Sequence, residues 1–124
     1  MAERKISSSN YANQVFLEEK CSLNELINLL SKRWITEVLF SIEEGNTRFS
    51  SIKEDLQFIS DNILADRLKL LEQHQLISKE YFNEIPPRVE YALTPIGTEL
   101  SDLLDKLCKF GEIKMGLCSK DNSL

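Results

Sequence analysis

The chain has 124 residues, which fits one compact domain, and 42% of them are hydrophobic, as in an ordinary globular protein. No apolar run approaches the roughly 20 residues that span a bilayer. The charged start Met1–Lys5 continues into serines instead of an apolar stretch, so we expect a cytoplasmic protein without a signal peptide or membrane contact. The net charge of −5 and the pI of about 4.9 argue against a uniformly basic surface.

Residues suited to catalysis or metal binding are scarce in the sequence. The three cysteines, Cys21, Cys108 and Cys118, show no CxxC spacing, so neither a zinc site nor a disulfide framework is expected. His74 is the only histidine, and neither a phosphate-binding glycine loop nor a GxSxG motif occurs. We therefore expect no enzyme activity, no metal and no cofactor.

The two ends of the chain differ from its middle in composition. Residues 1–10 are polar and are predicted to form a flexible N-terminus. The segment 11–19 would form a short helix with one apolar face, which needs a covering surface such as a second subunit. Residues 113–124 are predicted to be a C-terminal tail, which leaves residues 11–112 as the folded domain with its terminal dimerisation helices.

Three helices are predicted between residues 22 and 60. A capping box, Ser22 to Glu25, starts the first, and Ser31 is expected to cap the second, which ends at Gly45. After a short extended link at residues 47–49, a third helix follows. The apolar positions that recur at helical spacing in these helices are Leu23, Leu26, Ile27, Leu30, Trp34, Ile35, Val38, Leu39, Ile42, Ile52 and Leu56.

A fourth helix is predicted over residues 60–73. Ser60 is a good N-cap, and Asp61 suits the positive dipole end of the first turn. Two short helices followed by this one give the helix-turn-helix order, in which the last helix normally enters the major groove of DNA. The predicted buried stripe is Leu64, Leu68 and Leu71, and the opposite face presents Asn62, Ala65, Asp66 and Lys69.

The hydrophobic period then changes from helical to alternating, which predicts two strands over Ile77–Phe82 and Arg88–Leu93. Pro86 and Pro87 stiffen the link between them and prevent it from pairing as sheet. A hairpin after a recognition helix is a wing, here residues 78–93. These elements predict a fold that is mainly α with a small β-hairpin, a winged helix-turn-helix.

The last helix is predicted to begin with Thr94 as its N-cap and Pro95 at its first position. Its apolar stripe is long for a helix at the end of a small domain. Packing on the chain's own core explains only part of the stripe, so we expect a dimer seam. The stripe consists of Ile96, Leu100, Leu103, Leu104, Leu107 and Phe110.

Several of these segments together resemble the HxlR family of winged-helix regulators, a relative of the MarR group. The strongest mark is the run from Ile85 to Gly97, IPPRVEYALTPIG. The resemblance covers about residues 20–112. Its other marks are Cys21 ahead of Lys32-Arg33-Trp34, Arg48-Phe49, Ile59-Ser60 and the run from Arg67 to Glu72.

The resemblance implies a homodimer, built from the N- and C-terminal helices, that binds a palindromic operator. It implies that the helix at residues 60–73 enters the major groove while the wing lies along the backbone or minor groove. It also implies, as in some members, a response to oxidants or electrophiles through Cys21. The sequence departs from the family pattern where Asn62 replaces a frequent lysine, Ala65 replaces a hydroxyl residue and Leu30-Ser31 replaces a Gly-Gly pair.

The exposed face of the fourth helix supplies the candidate DNA contacts. Asn62 could bond adenine through N6 and N7 together, and Arg67 and Lys69 could contact phosphates. The alternative is a solvated helix face on which Asp66 and Lys69 merely balance charge.

Four further residues belong to this candidate DNA-binding face: Ser60, Asp61, Ala65 and Asp66. The two aspartates would repel phosphate. We therefore expect them to lie over the centre of the groove or clear of the DNA backbone.

Arg88, at the base of the wing, is a candidate phosphate anchor. Alternatively, Arg88 forms a cross-strand ion pair with a glutamate such as Glu80. For Arg48, too, both a phosphate contact and an ion pair within the chain stay open. Lys32, near the start of the second helix, is a candidate backbone contact. Its neighbour Arg33 is either another backbone contact or a packing stem at the dimer seam.

Two interpretations of Cys21 stay open. Its position just before a capped helix places the sulfur near free amides and the positive dipole end, which favours the reactive thiolate. Glu18, Glu19 and Glu25 oppose that effect, and a free cysteine is often a small buried apolar residue. Cys108, on the last helix, is expected to pack at the interface.

A second functional class also fits the sequence. The acidic pI and the weakly basic fourth helix suggest a winged-helix protein-interaction module with little DNA affinity. For a DNA-binding regulator the expected partners are double-stranded DNA and a second copy of the chain. For an interaction module the expected partner is another protein.

Overall fold

The computed structural model describes residues 21–117, with the side chain of Cys21 excluded. The predictions for the N-terminal residues, for the helix at residues 11–19 and for Cys118 lie outside this range. The chain divides into two compact units, with the boundary between Ile35 and Thr36.

The described residues form a mainly helical structure with one two-stranded antiparallel hairpin, as predicted for the fold class. None of the helices in this part of the chain is long and apolar enough to cross a membrane. The elements in chain order are α1 (Cys21–Ser31), α2 (Ile35–Glu43), α3 (Phe49–Leu56), α4 (Asp61–Gln73), β1 (Ile77–Phe82), β2 (Arg88–Leu93) and α5 (Pro95–Lys114).

The boundary between α1 and α2 differs from the prediction. Ser31 is the last residue of α1, where its hydroxyl donates to the carbonyl of Asn28 at 3.0 Å, so it does not cap the next helix. Trp34, predicted inside the second helix, lies in the turn with a φ of +77°, a left-handed conformation that interrupts helical geometry. Ser22 lies within α1, so the prediction that it precedes the helix as a cap is also wrong.

The link between α2 and α3 is attached to the hairpin. Gly45, which follows α2, has a φ of +113°, where a side chain would be strained. Two residues later the carbonyl of Thr47 accepts the backbone N–H of Tyr91 at 2.7 Å. In α3 the predicted core residue Ile52 is buried, whereas Leu56, predicted to be buried as well, is only half-buried.

The turn between α3 and α4 is fastened by Lys53. Its Nζ donates to the carbonyl of the buried residue Ile59 at 2.7 Å and lies 3.4 Å from Oδ1 of Asp61. The Ser60 hydroxyl accepts the backbone N–H of Ile63 at 3.1 Å, which confirms Ser60 as the N-cap of α4. These bonds fix the direction in which α4 leaves the turn.

The core of the second unit holds the helix-turn-helix against the hairpin. α3 packs on α4, α4 on β1 and α5 on β2. Burying an aliphatic side chain of this size stabilises a fold by roughly 1.5–3 kcal/mol, so these contacts fix α4 relative to the wing. The buried apolar side chains of this unit are Val38, Leu39, Ile42, Ile52, Ile59, Leu64, Leu68, Leu71, Leu76, Ile77, Tyr91 and Leu100.

The hairpin and the start of α5 match the prediction. β1 and β2 have the predicted bounds, with Phe82 opposite Arg88 at the tip. Thr94 caps α5, since its Oγ1 accepts the N–H of Gly97 at 3.0 Å, and the same hydroxyl donates to the Gln75 carbonyl at 2.7 Å. Pro95 occupies the first turn of α5, as expected.

Candidate nucleic-acid interface

The candidate interface is centred on the solvent-facing side of α4. The leucine stripe of this helix is buried, which turns the opposite side outward. The cap residue Ser60 lies at the N-terminal edge of this side and is also exposed. The predicted face is exposed throughout at Asp61, Asn62, Ala65, Asp66 and Lys69.

Both aspartates on this side of α4 are ion-paired. Asp61 pairs with Lys53, and Asp66 pairs with Arg67, whose side chain is only 16% exposed. The repulsion that the two carboxylates would exert on a phosphate is therefore reduced. Lys69 is exposed, whereas the guanidinium of Arg67 is engaged with Asp66, so Lys69 is the better placed of the two predicted cations for an intermolecular contact.

Arg88, at the tip end of β2, is surrounded by groups of its own chain. Its Nη2 lies 3.1 Å from Oε2 of Glu84, and its Nε lies 3.4 Å from Oε2 of Glu90. The guanidinium carbon stands 4.0 Å from the centroid of the Phe82 ring, a cation–π distance. Arg88 thus forms ion pairs with Glu84 and Glu90. Glu80, the partner suggested by the sequence, instead lies opposite Glu90 in the hairpin.

A groove of about 620 Å³ separates the wing tip from the start of α3. Arg48, immediately before α3, and Arg88, at the start of β2, both line this groove, as does Glu84. The structure therefore brings together two of the sequence-predicted cations, Arg48 and Arg88. The full lining is Arg48, Phe49, Ser50, Glu84, Pro86, Pro87, Arg88 and Val89.

Lys79 on β1 is a wing cation that is not among the candidates predicted from the sequence. Its ammonium lies 5.2 Å from the centroid of the Tyr81 ring, and a hydrogen bond with the Tyr81 hydroxyl raises the pKa of Lys79 above its usual value. Burial raises the pKa of the neighbouring Tyr91. Lys79 is therefore a permanent positive charge on the hairpin at neutral pH.

Lys32 and Cys21 belong to the first compact unit. Lys32 is exposed in the turn after α1, where its backbone N–H donates to the Leu29 carbonyl at 3.2 Å. The guanidinium of Arg33 lies 5.1 Å from the Trp34 ring centroid. Cys21 is the first residue of α1, and its side chain is outside the described part of the chain.

The lone histidine and the free thiol on α5 form no cluster. Within residues 21–117 no group of three or more His, Cys, Asp or Glu side chains is placed to hold a metal ion. Cys108 is exposed on α5, with its Sγ 3.9 Å from Oε2 of Glu112.

The sequence matches the family described as HxlR-like helix-turn-helix over residues 29–117. An otherwise uncharacterised HTH-type transcriptional regulator of Methanothermobacter thermautotrophicus is 36% identical over 96 residues, which is 77% of this chain and 73% of the relative. The HTH-type transcriptional regulator YodB of Bacillus subtilis is 34% identical over 85 residues, or 68% of this chain and 76% of YodB.

Solved structures share the fold. The reduced form of YodB has a TM-score of 0.68 at 32% identity, over 73% of this chain and 89% of YodB. The diamide-treated form of YodB has a TM-score of 0.68 at 31% identity, over 79% of this chain and 94% of YodB. A protein of Enterococcus faecalis V583 assigned to the MarR family of transcriptional regulators has a TM-score of 0.72 at 34% identity. The match covers 85% of this chain and 93% of that protein.

Proposed function

Because this chain belongs to the family of HxlR-like helix-turn-helix transcriptional regulators, we propose that it is a homodimer that binds double-stranded DNA. In this proposal α4 enters the major groove of a palindromic operator, and the wing, residues 78–93, lies on the backbone. The protein acts in the cytoplasm as a regulator of transcription, not as an enzyme, and it needs no cofactor.

The observation that carries this proposal is the exposed face of α4 beside the hairpin. From Asn62 to Lys69 the face extends about 10 Å along the helix axis at 1.5 Å per residue. The major groove is about 12 Å wide and admits a helix. Asn62 and Lys69 would then stand where a base edge and a phosphate are within reach, with Ala65 allowing close approach between them.

The dimer is supported by the exposed apolar side of α5. Leu103, Leu107 and Phe110 recur at helical spacing and are each more than half exposed. A second copy that covers them would supply a second α4 and double the number of cations at the DNA. For a palindromic operator the two α4 helices should lie about 34 Å apart, the repeat of the duplex.

A salt titration on random-sequence duplex DNA tests the proposal. A protein that neutralises phosphates binds less tightly as salt rises, because each contact releases counterions. Lys69→Gln should reduce the slope of log affinity against log salt by about one. Lys106→Gln, which removes an equal charge from α5, is the matched control and should leave the slope unchanged.

The same titration decides between DNA binding and the protein-interaction module. The net charge of −5 favours the module, as do the carboxylates that engage Arg67 and Arg88. Absence of measurable DNA binding at low salt would support the module and contradict the regulator.

A thiol response through Cys21 is a further part of the proposal. It is motivated by the presence of a cysteine, Cys21, in α1 and by the likeness to YodB, of which a diamide-treated form has been solved. Diamide would take up two hydrogens from the Cys21 thiol and a second thiol, which would join as a disulfide. The change in the dimer would then alter its affinity for DNA.

Diamide treatment of purified variants tests the role of Cys21. DNA affinity should change on treatment in the wild type and in Cys108→Ser, which removes the exposed thiol of α5. Cys21→Ser should show no change. An affinity that diamide leaves unaltered in the wild type would rule out the thiol response.

A further inference from the structure

We propose that Glu84 masks Arg88 from DNA, because its carboxylate occupies the edge of the guanidinium that a backbone phosphate would take. The inference rests on the proposed DNA-binding function and adds a competing anion within the wing. Glu84 would thereby set how tightly the wing holds the DNA backbone.

The geometry around Arg88 leaves little of its charge available. Carboxylates of Glu84 and Glu90 lie 3.1 Å and 3.4 Å from two of its nitrogens, and the Phe82 ring covers one face. The three ionised side chains together carry a charge of −1. An approaching phosphate therefore meets a net negative cluster instead of a cation.

Of the two carboxylates, Glu84 is the one that can be displaced. Glu90 belongs to β2 and is held in the strand ladder opposite Glu80, and its side chain is 34% exposed. Glu84 lies in the loop between the strands, where its backbone N–H donates to the Phe82 carbonyl at 2.9 Å, and its side chain is 47% exposed. The Glu84 side chain can thus rotate into water while the hairpin stays paired.

The groove next to Arg88 provides room for the phosphate. Arg48 and Ser50, at the start of α3, line the same groove as Arg88. Arg48 is exposed, and no ion pair to it is seen among residues 21–117. With Glu84 turned away, a phosphate in this groove would bond the guanidinium of Arg88, and Arg48 would add a second positive charge to the same lining.

Binding to random-sequence duplex DNA at low salt tests the masking role. Glu84→Gln should bind about three- to fivefold more tightly than the wild type, the range expected for releasing one exposed ion pair. Glu80→Gln is the matched control, since it removes an equal charge from an exposed position on the same hairpin. It should tighten binding less than about twofold, through the general reduction of negative charge.

A double-mutant cycle shows whether the effect passes through Arg88. In an Arg88→Gln background, Glu84→Gln and Glu80→Gln should have equal effects on affinity. Unchanged thermal melting of the variants establishes that the hairpin is intact.

The outcomes separate this inference from the proposed function. If the wild type binds DNA but Glu84→Gln gains no more affinity than Glu80→Gln, the masking role is wrong and the proposed function stands. Weaker binding by Glu84→Gln would show that Glu84 instead positions Arg88, and this also overturns the masking role. If neither the wild type nor Glu84→Gln binds DNA, both proposals fail.

Discussion

Gly97 lies in the first turn of α5, directly against the backbone of Leu76. A Cβ at this position would lie 2.0 Å from the carbonyl oxygen of Leu76. That oxygen also accepts the backbone N–H of Thr94 at 3.1 Å, and Leu76 is buried directly before β1. Neither side can retreat without breaking this hydrogen bond, so glycine is required here by lack of space.

Gly97→Ala should therefore lower the free energy of unfolding by about 1–3 kcal/mol, the usual cost of overpacking. Gly111→Ala is the matched control, because the added Cβ would meet only Cδ1 of the exposed Leu117, at 3.3 Å. Alanine is favoured over glycine inside a helix by roughly 0.5–1 kcal/mol, so this variant should be as stable as the wild type or more so. Urea unfolding measures the free energy of unfolding of both variants. An equal decrease in Gly97→Ala and Gly111→Ala would contradict the steric explanation.

At the scale of elements, the apolar stripe of α5 has different surroundings along its length. In the first half of the helix Leu100 and Ser101 are buried, and the Ser101 hydroxyl donates to Oε1 of Glu43 at 2.6 Å, which joins α5 to α2. Two turns after Leu100, on the same side of the helix, Leu107 and then Phe110 face solvent within the single chain. The first half of the helix is therefore fixed to its own unit, and the second half offers the stripe for association.

Leu107→Glu should convert the proposed dimer into a monomer, since an unpaired carboxylate in an apolar seam is costly. We expect the dimer dissociation constant to rise by at least about tenfold. Thr98→Glu is the matched control because it adds the same charge nine residues earlier, half a turn away around the helix. Light scattering after size-exclusion chromatography measures the mass of each. A seam at Leu107 is excluded if both variants keep the wild-type mass.

At the scale of the whole molecule, the features predicted correctly from the sequence are those with strong local signals. Alternation and the Pro86-Pro87 link located both strands, and the caps Ser60 and Thr94 located two helix starts. The start of α2 was predicted wrongly because it depends on the left-handed φ of Trp34, which hydrophobic periodicity does not reveal.

The contacts that shape the candidate interface were harder to predict than the fold. Lys53 reaches a carbonyl six residues along the chain, and this contact exists only once the turn has formed. The partners of Arg88 depend on how the loop before it closes, and a four-residue spacing brings side chains together only on a helix, so the spacing from Glu84 gives no signal of this ion pair. Tertiary placement therefore decides which charges in this acidic chain remain available for a partner.

A two-stranded sheet has two outer edges, and unpaired backbone along such edges can recruit strands from other molecules. At the outer edge of β2 the Thr47 carbonyl accepts the N–H of Tyr91, which covers that edge near its centre. On β1 the charged side chains of Lys79 and Glu80 disfavour the addition of a further strand. The hairpin can therefore project from the protein at high concentration without seeding aggregation.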